Sequence, residues 1–456
     1  MLLWSVIIYL IISIIVGLGA AILVKNTDDY HLAGRSLPVY ISAAALFATW
    51  FGSETVLGAS SVMSKKGLYG VIEDPFGASL CLFLLGAFFA RRMYRMNILT
   101  IGDFYRNRFG PKVELFASIC LILSYLGWIA AQMVAIGIIL HVVSGLEVNT
   151  GILIGSFVVI LYTAVGGMWS VSISDFMQMI LIIIGLVLAL WQLNLLIPIP
   201  QIINKTPNHF FVFFKNGNWA TQINYFAAWI TIGFGSIPQQ DVFQRVMSSK
   251  SEKVAVRSSF IAAFMYLTIA LIPLMMALYA RILVPEELQN DGQLMLPNMI
   301  LKYTSPAIQI LFFGALLSAI KSAASGALLA PATILSENII YHLILKGKEK
   351  VMLRISRISV LIIAILSLSM ALMKNNIYEL VGQSSALSLV SLFVPLLAGM
   401  FWKRANSLGA LMSIFMGMVI WLICLILDTT ISPLFFGLLA SIIGMLAGVY
   451  FHKNKI

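Results

Sequence analysis

A succession of apolar runs, each about the ~20 residues a helix needs to cross a bilayer, constrains this chain more than any motif does. Thirteen can be drawn in its 456 residues, at roughly 2–24, 37–64, 70–90, 113–142, 150–167, 173–195, 222–240, 258–283, 306–343, 353–373, 378–401, 406–427 and 432–452. The ninth exceeds one crossing and should tilt or project beyond the hydrocarbon. Only 10% of residues are charged, against about 25% in a soluble domain, and mean hydropathy is +0.97. The expected class is an all-α polytopic membrane protein of about 13 transmembrane helices. Residues 2–24 lack a basic leader and a small-residue cleavage site, so they are expected to be a retained span.

The charges orient the runs. Of 29 Lys and Arg, 21 fall in one set of alternate connections and seven in the other, with Lys321 in neither. The positive-inside rule then places the amino terminus outside and the carboxyl terminus in the cytoplasm of the cell (inner) membrane. Because the basic residues lie between spans, the net charge of +11 does not indicate a nucleic-acid partner. The expected partners are the bilayer and a small solute, with no sign of an obligate protein partner. Cys81, Cys120 and Cys424 sit far apart in apolar runs and read as core residues. The five histidines show no ligand spacing. No nucleophile–base pair, phosphate loop or metal motif is present, so neither an enzyme nor a cofactor is expected.

Two runs carry breaks. The second (span two) passes through Leu46-Phe-Ala48-Thr-Trp50-Phe51-Gly52-Ser53-Glu54-Thr55, where a polar patch interrupts a helix. The seventh (span seven) contains Ile232-Gly233-Phe-Gly235-Ser236-Ile-Pro238. They stand five spans apart, so each can open a five-helix unit, and an odd number gives the two units opposite topology. Interrupted helices at matching positions of two halves point to a transporter's binding site, because unwound backbone frees carbonyls and amides. The breaks should therefore meet at mid-depth.

Lys321 is the other anomaly. It lies in Ala315-Leu-Leu-Ser318-Ala319-Ile-Lys321-Ser322-Ala323-Ala-Ser325-Gly-Ala-Leu-Leu-Ala330, roughly ten residues or about 15 Å from either edge of the hydrocarbon. That is too far for a lysine to snorkel. A charge at the midplane costs at least ~2.5–3.5 kcal/mol and usually faces a partner or an ion path.

Five stretches resemble the sodium:solute symporter family: Asp29-Tyr-His-Leu-Ala-Gly-Arg-Ser-Leu-Pro38, Leu99-Thr-Ile-Gly-Asp-Phe-Tyr105, Tyr162-Thr-Ala-Val-Gly-Gly167 followed by Asp175 and Gln178, Pro238-Gln-Gln-Asp-Val-Phe-Gln-Arg245, and Gly399-Met-Phe-Trp-Lys-Arg-Ala-Asn406. The resemblance implies a leucine-transporter-type fold, a 5+5 inverted repeat with one extra helix before and two after. In those terms residues 1–36 form the extra span and first loop, 37–195 the first repeat, 196–401 an outer loop and the second repeat, and 402–456 the last two spans and a short tail.

The resemblance also implies a sodium site. It would use the carbonyls of Ala48, Phe51 and Ala319 and the Ser322 hydroxyl. Oxygen ligands suit a hard cation. The chain departs from the pattern at Ala323, where relatives carry a second hydroxyl, and at Lys321, where they are apolar. Asp175 matches an acid that helps hold a second sodium in some relatives. Lys321, sharing a helix face with Ser318 and Ser325, is expected to face Asp175 beside the sodium position and to act as a tethered surrogate for the ion. A buried lysine can also release its proton, which makes H+ the alternative coupling ion to Na+.

Ser53, Glu54, Thr55, Glu73, Asp74 and Gln383 are the candidate substrate residues, and acids in a membrane cavity suit an amine-bearing solute. Glu73 and Asp74, before Pro75, also fit a helix cap. The expected function is secondary active import of a small polar, amine-bearing solute by alternating access, coupled to sodium by family default. Its alternative is a sodium-independent carrier, proton-coupled or uncoupled, in which Lys321 replaces the ion. The reading from another class is a solute sensor, for which residues 451–456 are expected to leave no room for a signalling domain.

Overall fold

In the computed structural model, residues 27–288, 291–341, 352–373 and 376–453 are described, with positions 4, 7, 8, 11, 12, 15 and 19 of the first run. The remainder of the expected span at 2–24 lies outside the described residues. Nine helices among those described are long and apolar enough to cross a membrane. The expected count of thirteen is therefore not reached; Val39–Ala48 and Val148–Leu161 are shorter apolar helices, and Trp219–Gly235 has 17 residues.

Local sequence explains the ends. Helix α1, Pro111–Ser144, starts with proline at its first position, where the missing N–H costs nothing. It stops at Gly145, whose φ of +76° lies in the left-handed region that favours glycine. Helix α2, Trp219–Gly235, is capped by the Asn218 side chain, which accepts from the Thr221 N–H at 2.9 Å. It ends where Pro238 removes a donor and restricts Ile237 before it. Gly235 is needed there, since a Cβ would collide with the Ser385 carbonyl. The chain resumes as α3, Gln240–Ser248.

Helical backbone continues from Val148 to Leu196, with no break where two spans are expected to join. A straight helix of 49 residues would reach about 74 Å, more than twice the hydrocarbon thickness of about 30 Å. Yet Val158 borders the same crevice as Lys321, and Asp175 bonds Ser322. Both parts of the run therefore lie against the stretch that carries Lys321 and Ser322.

Span two stops as a helix at Ala48 (α4, Val39–Ala48), turns through 49–52, and resumes with a wide turn over Glu54–Ala59. Its start is stitched to the end of α3: the Leu37 N–H donates to the Ser248 carbonyl at 3.1 Å, and the Lys250 N–H to the Leu37 carbonyl at 2.8 Å. Leu37 lies thirteen residues before Trp50, and Ser249 thirteen after Ser236. The broken helices thus run antiparallel with their breaks level, as opposite topology demands.

Basic connections gather on one face. Arg95 meets Glu252 at 2.7 Å, Arg92 donates to the Met400 carbonyl at 2.8 Å, and Arg108 donates to the Gly399 carbonyl at 3.1 Å.

The two last helices, Ser407–Ile426 and Pro433–Lys453, cross at small residues. A Cβ on Gly417 would collide with the Val390 carbonyl, and one on Gly437 would lie 3.1 Å from the Gly417 carbonyl. Such close backbone approach is how membrane helices associate where lipid removes the hydrophobic drive. Gly417→Leu should lower the midpoint of thermal unfolding in detergent, by about 1–3 kcal/mol of overpacking. Ile423→Leu, on the exposed face, should leave it in place.

Candidate functional site

Both breaks open into one internal cavity. Trp50 and Glu54 line it from span two, and Ile232, Ser236 and Gln239 from span seven. Asp74 and Ala78 belong to the third span (Leu68–Met96), Trp128 to α1, and Val381, Ser384 and Ser385 to the helix Ile377–Phe401. The free volume is about 10 Å³, about one water's worth, so the walls are drawn together.

The side chains form a connected polar set. Gln132 Nε2 donates to Glu54 Oε2 at 3.0 Å, and Ser53 Oγ donates to the same oxygen at 3.3 Å. Tyr266 Oη donates to Asp74 Oδ1 at 2.8 Å and lies 2.6 Å from Thr55 Oγ1. Glu54 and Asp74 are 2% and 1% exposed. Among the described residues, Glu54 Oε1, Asp74 Oδ2, Trp128 Nε1, Gln132 Oε1 and Gln239 Oε1 have no protein partner. Each buried polar atom left so costs about 1–3 kcal/mol. Four of these atoms belong to residues that line the cavity and the fifth to Gln132 beside Glu54, which marks a site built to receive polar or charged atoms rather than a satisfied core.

Of the expected substrate residues, Glu54 and Asp74 reach the cavity, while Ser53 and Thr55 hold them. Asp74 is therefore more than a helix cap. Glu73 is half-buried beside Gly382 and does not line the cavity. Gln383 is corrected: its Nε2 donates to Glu379 Oε1 at 3.1 Å, and Val381, Ser384 and Ser385 face the cavity in its place. Helical geometry at 3.6 residues per turn rotates position 383 away from positions 381, 384 and 385.

A second polar cluster lies on the other side of the break. Gly52 abuts Ile320 and Ala323, which brings the end of α4 against the ninth span (Pro306–Tyr341) beside Ala319 and Ser322. Ala48 and Phe51 sit at that helix end. The Ser322 hydroxyl donates to Asp175 Oδ1, and Ser325 Oγ donates to the Ser322 carbonyl at 2.9 Å. Ser318 is buried on the same helix.

Asp175 meets Arg245 as well as the expected Lys321. Arg245 forms the ion pair, with Nη2 at 3.5 Å from Asp175 Oδ2 and Nε donating to the Ala45 carbonyl at 2.9 Å. Lys321, 1% exposed, lies within electrostatic reach of Asp175 and also borders an apolar crevice with Leu317, Ile136 and Val158.

Sequence reasoning missed Trp128, Gln132, Tyr266 and Arg245. Trp128 and Gln132 stand four apart in an otherwise apolar stretch of α1, a signal the sequence does carry.

Arg245 is 2% exposed and Asp175 fully buried. Removing one partner of a buried pair costs about 3–5 kcal/mol. Arg245→Gln should lower the thermal midpoint accordingly, and adding Asp175→Asn should recover most of the loss. An equal loss in single and double variants would rule the pair out as the cause.

Residues 30–417 match the family described as "Sodium:solute symporter family". A high-affinity choline transporter of Homo sapiens is 27% identical over 89% of this chain and 73% of its own length. A sodium/proline symporter of Staphylococcus saprophyticus is 27% identical over 97% and 90%. A solved Na+-coupled sialic acid symporter in a substrate-bound outward-open state superposes with a TM-score of 0.84 at 20% identity, covering 99% of this chain and 97% of that one. MhsT in complex with L-phenylalanine gives 0.59 at 14%, covering 90% and 98%. The broken helix pair, the shared fold and the match over most of the length lead to one conclusion: the chain is a multi-pass membrane transporter with a leucine-transporter-type fold and belongs to the sodium:solute symporter family.

Proposed function

We propose that the chain carries a small organic cation, an amine or quaternary ammonium, into the cell by alternating access. The observation that carries this reading is the pair of buried carboxylates, Glu54 and Asp74, each with an oxygen lacking a protein partner, in a cavity that also presents Trp50 and Trp128. Carboxylates balance a positive charge, and indole faces attract a quaternary ammonium that has no hydrogen to donate. A sugar would not need two acids, and the cavity lining holds two acids and no basic side chain, a balance that suits a net cation better than a zwitterion. The choline transporters among the relatives fit this chemistry. The charge bias supports a cytoplasmic basic face, and inward movement follows the sodium coupling that the family implies.

Screening choline, proline, sialic acid and a neutral sugar by thermal shift should show stabilisation by choline. Glu54→Gln and Asp74→Asn should each weaken its binding about tenfold to a hundredfold, from loss of about 1.5–3 kcal/mol in a charged contact. Stabilisation by the sugar alone, or choline binding unchanged in both variants, would remove the cation reading.

Sodium is the coupling ion the family implies, co-transported as a second substrate. A specific arrangement also favours a second reading, in which Lys321 supplies the positive charge. Ala323 offers no hydroxyl, the Ser322 hydroxyl is committed to Asp175, and Arg245 already neutralises that acid. Of the ligands the resemblance implies, the carbonyls of Ala48, Phe51 and Ala319 then remain. If Lys321 stands in for sodium, uptake into proteoliposomes should depend little on an imposed sodium gradient, and Lys321→Met should abolish uptake or create a sodium requirement. Strong sodium stimulation of the native protein, undiminished in Lys321→Met, would leave the lysine structural and the coupling with sodium.

A further inference from the structure

The basic face carries a feature that solute transport does not use. A groove of about 530 Å³ runs between the third span, Leu68–Met96, and the eighth, Glu252–Leu283. Phe83, Phe260, Phe264 and Leu267 wall it and are 52, 37, 69 and 38% exposed. The groove therefore opens outward from the bundle, at the level where apolar residues meet hydrocarbon. Phe260 also borders a second pocket of about 320 Å³, which carries Arg91 and Arg92. An aromatic trough thus leads into an arginine pair at the membrane boundary.

The charge there is not balanced locally. Residues 91–95 and 252–257 contain Arg91, Arg92, Arg95, Lys253 and Arg257 against the single acid Glu252. That carboxylate is shared by Arg91 at 2.9 Å and Arg95 at 2.7 Å. Arg92 is held differently. Its guanidinium lies 3.9 Å from the centre of the Phe401 ring and donates to the Met400 carbonyl at 2.8 Å. Packing has fixed a cation at the head of the groove without neutralising it.

We propose that this is a binding site for an anionic phospholipid, with an acyl chain along the aromatic groove and the phosphodiester between Arg91 and Arg92. Guanidinium groups match phosphate oxygens in paired geometry, and basic pockets between membrane helices select anionic headgroups. A soluble anion would leave the groove beneath it unused. A zwitterionic headgroup would bring a further cation into an already positive site.

The test measures lipid binding to the full chain in detergent, by thermal shift and by native mass spectrometry. Phosphatidylglycerol, phosphatidylcholine of the same chains, and inorganic phosphate are the probes. Phosphatidylglycerol alone should stabilise the protein. The double variant Arg91→Gln/Arg92→Gln should bind it about tenfold more weakly. Lys403→Gln/Arg404→Gln, which removes two exposed charges of the basic face outside the pocket lining, should not. Leu267→Trp, which fills the groove from its open wall, should also weaken binding and serves if the arginine variant does not fold. Equal binding of both lipids, equal loss in both charge variants, or full stabilisation by inorganic phosphate would each overturn the proposal.

Discussion

Backbone polar groups cannot be left bare in hydrocarbon, and the architecture follows from that constraint at the two places where helices stop. Unwound backbone at 49–52 and 236–238 survives at membrane depth because each break faces the other across an internal cavity, enclosed by α1, the third span and the helix Ile377–Phe401.

Around the breaks, buried acids divide into two kinds. Asp175 is answered within the protein: a serine on one oxygen, a guanidinium beside the other, and Lys321 within reach. Glu54 and Asp74 are answered by half, each with one oxygen bonded and one not. The first arrangement is what a static junction or an ion pathway requires. The second is what a site requires when its counter-charge arrives from solution.

The sequence made the class legible because bilayer thickness sets a length that composition must honour, and it made the breaks legible because glycine, proline and a polar patch stand where a helix should continue. Glu54 and Asp74 could be nominated because acids are rare in such runs. What could not be read was distance across the fold. Gln132 meets Glu54 over 78 positions and Tyr266 meets Asp74 over 192, and neither contact leaves a local trace. Gln383 shows the limit in another form: the right helix was named, but two-fifths of a turn decides which side chain enters a cavity. Arg245 falls among the basic connections in a charge tally, which does not see burial.

The two backbone hydrogen bonds between Leu37 and Ser248–Lys250 join the half-helices below the breaks into one body. Any rearrangement that swings Val39–Ala48 away from Gln240–Ser248 must first give up those bonds, about 1 kcal/mol each, together with the hold of Arg245 on the Ala45 carbonyl. A movement that keeps the two halves together instead carries Arg245 with it and draws it off Asp175. Displacing that joined body from the helix that carries Asp175 would therefore uncover the acid in the same step.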